Sequence, residues 1–588
     1  MPAADPFARM AIGPGIGAVA PDADAAPLRH VERVKTAWLR ETEDLAQRRR
    51  VAFLPAMASM NTRALHLPTC RARRAGAWRK SAAAALLAVS IGCTPLPPPT
   101  DAPLPSTDDG GDTLFGRSIL PALQTFPGRS GFFALTDARE AFAARALLAD
   151  AAERTLDVQY YIWHDDLSGR LLFDALLRAA QRGVRVRLLL DDNNTAGLDP
   201  LLAALDAHPN IEVRLFNPFA QRRWRWLGYL GDFDRLNRRM HNKSFTADRQ
   251  VTIVGGRNIG DEYFDAGDGV LFVDVDVLAI GPIVGAVADD FDRYWTSRSS
   301  YALADVLRDA GAATSDVIGQ TAASAAIDPA AEAYLQALHT TPFVRELLER
   351  RLPLEWATAR LVTDDPAKGL GRAAARQMLP ARLRDALGMP QREIRIVSPY
   401  FVPTAAGVDA LAALARSGVR VQVLTNALEA TDVAIVHAGY AKRRRALLEA
   451  GVALFELKRD AGNVSSWRPT GVAGVMGRSA ASLHAKTFAV DGERVFVGSF
   501  NFDPRSANLN TELGVVIDSV DMAATAAHVF REQMPLRAYE VRIGSDGRLQ
   551  WVEQRPEGEV VHDVEPGTHF LQRAAVRLLA LLPIEWLL

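Results

Sequence analysis

The 588-residue sequence reads as an α/β protein of two pseudo-symmetric α-β-α lobes with mixed sheets, with an active site at the lobe interface. Three observations predict this. From about residue 130, segments of helical periodicity alternate with short apolar, β-branched runs, the pattern of helices layered on a sheet. The same order of elements recurs in the second half. His-x-Lys-x-x-x-x-Asp is also written twice, as His241-Asn242-Lys243 to Asp248 and as His484-Ala485-Lys486 to Asp491. A Gly-rich turn ending in Asn follows each copy, Gly255-Gly256-Arg257-Asn258 and Gly498-Ser499-Phe500-Asn501, with the Asn seventeen residues after the His both times. Duplication of a whole domain explains all three.

Residues 1–92 stand outside the pattern. A basic run (Arg71, Arg73, Arg74, Arg79, Lys80) precedes an apolar stretch from Ala82 to Gly92, too short to span a bilayer but suited to the core of a secretory signal. It ends at Ser90-Ile91-Gly92-Cys93, which resembles the lipobox of bacterial lipoproteins, with Ser90 where an aliphatic residue is usual. The expectation is an exported protein, lipid-anchored at Cys93 in a bacterial envelope, with Met57 or Met60 as an alternative start. Residues 93–129, rich at first in Pro, Thr and Asp, read as a tether.

The first lobe is expected over 130–345. Asp137 and Glu140 form a capping box for a helix to Ala152. Leu156 to Trp163 is a strand, Leu171 to Gln181 a helix closed near Gly183, and Val184 to Leu190 a second, buried strand. A helix from Asp199 to Ala207 and a strand from Ile211 to Phe216 follow. The second lobe, 346–540, repeats the order. Its elements are strand Glu393–Pro399, helix Ala405–Arg416, strand Val419–Leu424, helix His437–Ala450 and strand Val452–Leu457. After each His-Lys motif come a short strand to the Gly turn, a further strand (Val270–Ile280; Thr511–Ile517) and a helix (Ile283–Trp295; Met522–Gln533). Residues 298–390 read as helical connection, and 541–588 as a tail.

Composition narrows the function. Hydrophobic residues are 48% and charged residues 23%, as in folded globular proteins, and a net charge of -1 gives no overall field for nucleic acid. Cys70 and Cys93 are the only cysteines, which excludes a disulfide framework and a cysteine-built metal site.

The paired motifs carry the chemistry. On a strand, His and Lys at i and i+2 share a face. Asp248 and Asp491 have the opposite parity and follow a turn, so they read as positioning or structural carboxylates within the motif. Asn258 and Asn501 sit past tight turns, where an amide can donate to a phosphoryl oxygen. If the lobes face each other, His241 and His484 converge with Lys243 and Lys486 on one phosphate. One neutral imidazole, assigned here to His241, attacks phosphorus and forms a phosphohistidine; the other protonates the leaving alkoxide. The lysines neutralise the non-bridging oxygens, the role a metal plays elsewhere, so neither a metal nor a cofactor is expected.

These motifs resemble those of the phospholipase D superfamily, over about residues 130–535. The resemblance implies metal-free use of the two histidines, and an acidic residue past each Asn that bonds the opposite lobe's His. The matching positions are Glu512 and Asp274. Gly256 departs from the pattern, standing where the superfamily usually has the serine seen at Ser499, so one phosphate contact is expected to be missing or supplied by backbone. Further phrases, Leu156 to Tyr161, Leu190 to Asn193, Asn237 to Phe264, Ser398 to Pro403 and Leu581 to Glu585, are similar to bacterial cardiolipin synthases of the signal-bearing subtype. That likeness implies transfer of a phosphatidyl group to phosphatidylglycerol, phospholipid substrates, a membrane surface as partner, no nucleic acid, and a single chain active as an internal pseudo-dimer. Hydrolysis by the same site, or a phosphodiesterase nuclease, is the alternative.

Three stretches stay open. Arg222-Arg-Trp-Arg-Trp226, with Tyr229, Arg235, Arg238 and Arg239, reads either as a bilayer contact or as a solvated loop. Phe570–Leu588 has helical apolar spacing and either lies in a membrane interface or docks on the second lobe. His437 reads as a surface histidine beside the cationic turn Lys442 to Arg445.

Overall fold

The computed structural model describes residues 96, 98–100, 110–265, 271–307, 331–459, 481–583 and 585–588. The signal-like segment and Cys93 lie outside the described residues.

The packed chain begins earlier than the tether reading expects. Helix α1 (Leu114–Thr125) is capped by Thr113, whose hydroxyl accepts the Gly116 N–H at 3.2 Å, and it buries Leu114, Phe115 and Ile119 in the first core. Strand β1 (Ser130–Leu135) and helix α2 (Ala138–Ala151) follow, Asp137 capping α2 by accepting the Glu140 N–H at 3.0 Å. Then come β2 (Thr155–Tyr160), α3 (Leu167–Gln181), β3 (Arg185–Asp191), α4 (Asp199–Asp206) and β4 (Ile211–Phe216). Their parallel order β2-β3-β4 is what the near-continuous apolar run in β3 requires, since helices cover both faces. Two short helices, α5 (Arg225–Gly231) and α6 (Phe233–Leu236), lead to the first motif, and the antiparallel β5 (Ser244–Ala247), β6 (Val251–Gly255) and β8 (Asp276–Ile280) continue the sheet to β1.

The segment expected as one strand from Val270 to Ile280 is two. β7 (Leu271–Val273) leaves the sheet and pairs in parallel with β14 (Ala481–Leu483) of the other lobe, and the chain turns at Asp274 before β8. Helix α7 (Pro282–Trp295) and β9 (Ser300–Ala302), which pairs with β4, complete the lobe.

The expected helical connection contains instead β10 (Glu355–Thr363), paired with β1 over Glu355–Ala357 and with β17 (Leu513–Asp518) over Thr358–Thr363. Long-range pairing, of β1 with β8 and β10 and of β10 with β1 and β17, holds both as strands. The second lobe mirrors the first: β17, β16 (Arg494–Gly498) and β15 (Thr487–Val490) antiparallel, then β11 (Glu393–Val397), β12 (Arg420–Asn426) and β13 (Ala453–Leu457), of which β11-β12-β13 are parallel. With β10 beside β1, the two lobes form one continuous sheet, of 18 strands among the described residues, and the β1–β10 pair sits at its pseudo-twofold centre. Residues from both lobes, including Val254, Val277, Val497 and Val515, share a core across the junction.

The predicted helix His437–Ala450 breaks into α8 (Ala434–Ala441) and α9 (Arg444–Glu449). His437 is buried, not a surface histidine: its Nε2 lies 3.1 Å from Glu565, and Arg444 joins the same carboxylate at 3.0 Å. The tail is part of the second lobe. β18 (Ala538–Ile543), β19 (Leu549–Arg555) and β20 (Gly558–His562) extend its sheet past β13, Trp551 enters its core, and helix α10 (Phe570–Leu579) follows.

Candidate active site at the lobe interface

His241 and His484 reach the interface by matching routes. Each motif triplet is the extended entry to a strand, β5 or β15, and is held by the opposite lobe rather than by its own sheet. The His241 N–H donates to Thr511 O at 2.8 Å, and the His484 N–H donates to Val273 O at 2.8 Å. The next residues, Glu512 and Asp274, meet the rings. His241 Nδ1 lies 2.8 Å from Glu512 Oε2, and His484 Nδ1 lies 2.5 Å from Asp274 Oδ2. Each imidazole is therefore oriented through Nδ1 by a carboxylate from across the interface. Lys243 Nζ donates to His241 O at 2.7 Å; Lys486 Nζ folds back on His484 O and also lies 2.9 Å from His484 Nδ1.

The motif aspartates do not join this centre. Asp248 and Asp491 open the hairpin turns after β5 and β15 with φ of 51° and 55°, a region Asp tolerates. The Asp248 carboxylate accepts the N–H groups of Glu153, Arg154 and Thr155 at 3.0, 2.7 and 2.9 Å; Asp491 does the same for Gln391, Arg392 and Glu393. They pin the motif hairpin to the start of the central strand, β2 or β11, and touch no reacting group. Asp248→Ala is expected to lower the urea midpoint of unfolding by the equivalent of about 3 kcal/mol, because three N–H groups lose an ionised acceptor. Turnover per folded molecule should change far less.

Asn258 is also committed elsewhere. Its Nδ2 donates to Tyr263 Oη at 2.9 Å and its Oδ1 accepts the Ile162 N–H at 3.2 Å, so the amide ties the turn to β2 rather than reaching for phosphate. Asn501 is different: buried, with no partner for Oδ1 among the described residues.

The Gly256 departure has a steric cause. A Cβ there would lie 2.2 Å from Asp274 Oδ1 and 2.8 Å from Cγ, so the carboxyl that orients His484 occupies the space a serine would fill. In the other lobe the longer Glu512 lets Ser499 fit. Ser499 Oγ donates to Glu512 Oε2 at 2.5 Å and accepts the Leu513 N–H at 3.0 Å. Ser499 thus holds the carboxylate, and the phosphate contact read into it is spent.

Sequence reasoning missed the walls of the site. Tyr161 stands edge-on to His241 at 4.9 Å with Lys243 Nζ 5.4 Å above its ring; Tyr263 and Phe272 each lie 5.1 Å from His484. Tyr161 follows the C-terminal end of β2, where α/β sheets present ligand groups, and that position was the available signal. Also missed was the fully buried pair Asp364–Lys368 at 2.9 Å, in which Asp364 Oδ2 accepts the Glu512 N–H at 2.9 Å and so seats the residue that orients His241.

The electrostatics differ between the two halves. Burial, then Lys243 and Lys486, push His241 well below its ordinary value. Burial and Lys486 also lower His484, with Asp274 opposing. Burial pushes the Glu512 carboxyl up to about 7 against Lys243 and Ser499. Burial would raise Asp274 as well, but His484, Lys486 and Arg257 outweigh it and hold Asp274 below the usual carboxylate range. Lys243 falls to about 7 and Lys486 to about 8, burial being the main cause. Both lysines must be protonated to neutralise a bound phosphate diester. The expected kcat/KM therefore falls as pH rises through 7 to 8, approaching tenfold per unit, while His241 stays neutral and imposes no loss until well into the acid range. A flat profile to pH 10 on a short-chain substrate would show that neither lysine is depressed.

Among the described residues, His164, Asp166 and Glu262 place possible metal-ligand atoms within 4.8 Å of one another. Their polar atoms are already engaged: Asp166 caps α3 and accepts the Asp261 N–H, and Glu262 bonds His164 at 3.3 Å.

The family model for the cardiolipin synthase PLD-like domain matches residues 146–295 and 383–534, one stretch in each lobe. Cardiolipin synthase C of Escherichia coli (strain K12) is 53% identical over 471 residues, covering 80% of this chain and 99% of that protein. The major cardiolipin synthase ClsA of Bacillus subtilis (strain 168) is 25% identical over 432 residues, 73% of this chain and 74% of its own. The crystal structure of phosphatidylserine synthase from Haemophilus influenzae Rd KW20 superposes with a TM-score of 0.49 at 14% identity, over 80% of this chain and 100% of that one. With one family match in each lobe, and 53% identity along nearly the whole of a cardiolipin synthase, the chain belongs to the cardiolipin synthase family of phospholipase D-like proteins.

Proposed function

We propose that the protein is a phosphatidyltransferase that makes cardiolipin from phosphatidylglycerol and a second phospholipid. The observation that carries this reading is the reciprocal pairing of His241 with Glu512 and His484 with Asp274 across the interface, two oriented imidazoles sharing one cationic site.

His241 Nε2 attacks phosphorus; a P–N bond forms, the bond to the donor headgroup oxygen breaks, and His484 gives its proton to the departing alkoxide. The phosphatidylglycerol hydroxyl then loses its proton to His484, attacks phosphorus and releases His241. The unequal carboxylates support this division. Asp274, held ionised, opposes the lowering of His484 by burial and Lys486, whereas Glu512, raised to about 7, can hold a proton, which suits a neutral nucleophile at His241. Lys243 and Lys486 balance charge on the non-bridging oxygens, so the reading needs no metal. Both motifs lie in one chain, which supplies a complete site. The wider reading places the enzyme at a membrane surface, exported and anchored through Cys93, with no role for nucleic acid.

The test is to incubate the full chain with phosphatidylglycerol, alone and with phosphatidylethanolamine, in the presence and absence of a strong chelator. Cardiolipin with free glycerol or ethanolamine, unaffected by chelation, supports the reading and names the donor. Phosphatidic acid as the only product would make the enzyme a hydrolase, and a rate restored by one cation would overturn the metal-free chemistry.

A further inference from the structure

The C-terminal helix α10 is attached in an unusual way. Val576 is its only fully buried side chain, yet its surroundings are fixed at both ends by charge. Glu565 before it pairs with His437 and Arg444, and Glu585 after it pairs with Arg443 at 2.8 Å and Lys442 at 3.5 Å. The chain end is held too, Leu588 O accepting the Arg505 N–H at 2.7 Å and Leu587 O accepting Arg505 Nε at 2.8 Å. The apolar side chains of this segment face outward: Leu571 is 78% and Leu581 80% exposed, with Phe570, Leu578 and Leu582 beside them. A helix docked as ordinary core would bury these residues.

The first lobe presents a second patch. Around α5 and α6 the cations turn inward and the apolar groups outward, the reverse of what headgroup binding by these arginines would need. Arg222 and Arg225 are engaged by Asp192 and Asp199, and Arg239 by Asp191. Trp226 is 65% and Leu230 79% exposed, with Trp224 and Phe233 also open.

The two patches flank one face. Arg505, which holds the chain end, also donates from Nη2 to Asn237 Oδ1 at 2.8 Å, and Asn237 directly follows α6. That face adjoins the active site: Tyr229 of α5 donates to Asn193 at 3.0 Å, Asn194 donates to Tyr161 O at 3.2 Å, and Tyr161 contacts His241. From Arg222 to Gly231 and from Phe570 to Leu582 there is no carboxylate; Asp232 and Asp234 flank Phe233 at the edge of the first patch, Asp232 paired with Arg235, while Arg223 and Arg577 are exposed with no ion-pair partner among the described residues.

We infer that these two patches form one docking surface for an anionic phospholipid bilayer, which seats the mouth of the active site at headgroup depth. Trp and Leu side chains enter the interface, and Arg223 and Arg577 meet anionic headgroups. This rests on the lipid-transferase reading and adds to it the surface by which the enzyme meets its substrate.

The test uses the full chain, vesicles of phosphatidylglycerol with phosphatidylethanolamine, and vesicles of phosphatidylcholine alone. The variants are a triple Leu571→Ser, Leu578→Ser, Leu581→Ser and a double Trp224→Ser, Trp226→Ser. Each should co-float with the anionic vesicles at least about tenfold less well than the unsubstituted chain. Cardiolipin formation on vesicles should fall in parallel, and turnover of short-chain phosphatidylglycerol below its micelle concentration should persist. In the unsubstituted protein, hydrogen exchange over residues 224–233 and 570–582 should slow when anionic vesicles are added, a readout that does not depend on any variant folding. Undiminished flotation of both variants, or protection that spares these two stretches, overturns the proposal. So does self-association of the chain that both variants abolish without altering vesicle binding, which would make the face a dimer contact. Vesicle binding without any lipid turnover would sink the transferase reading and leave the docking surface standing.

Discussion

Alanine at His241 or at His484 is expected to lower cardiolipin formation by at least about 10⁴-fold, since residues that act as a unit each cost nearly the whole effect when removed. Each ring is paired with a fully buried carboxylate of the opposite lobe, so the unfolding midpoint should fall as well, and activity is to be compared per folded molecule. The two variants should differ in one respect. With a phosphatidyl ester of p-nitrophenol, whose leaving group needs no proton, His484→Ala should still release about one equivalent of nitrophenol per enzyme as the phosphohistidine forms. His241→Ala should release none. A burst from the His241 variant instead would exchange the two roles, and substantial steady turnover in either would end the shared-centre mechanism.

Gly256→Ser is expected to cost on the order of 10²-fold in kcat, although it introduces the residue present at the matching position of the other lobe. The new Cβ would fall 2.2 Å from Asp274 Oδ1, so the carboxyl must swing away and His484 loses the partner that orients it. The loss should fall on kcat rather than KM, because binding of the acyl chains and the lysine charges is untouched. Ser499→Gly should be milder, near tenfold, as Glu512 keeps its contact with His241. An active Gly256→Ser variant with a normal pH profile would show that Asp274 has room to move and that its place is not critical.

The motifs read from the sequence name side chains that the fold brings together, but say less about what their neighbours do. His241, Lys243, His484 and Lys486 are brought to one interface, and Asp274 and Glu512 stand against the rings. Asp248 and Asp491, set apart in the motifs by their opposite parity, hold backbone N–H groups, whereas Asn258, read as a phosphate donor, spends its amide on Tyr263 and Ile162. The break after Val273 was invisible because Leu271 to Ile280 is apolar enough for one strand; it turns there because β7 pairs with β14 of the other lobe. His437 reads as exposed from its cationic neighbours and is buried because Glu565, far along the chain, closes over it.

By itself the sequence determined the duplication and the α/β class, because each depends on periodicity or on spacing within a single strand and turn. Only the tertiary structure decided why one lobe carries Gly256 where the other carries Ser499, where Asn258 spends its amide, and which way α10 turns its apolar side. These depend on distances between segments far apart in the chain, and such distances are set when two sheets join through β1 and β10, not by any local pattern of residues.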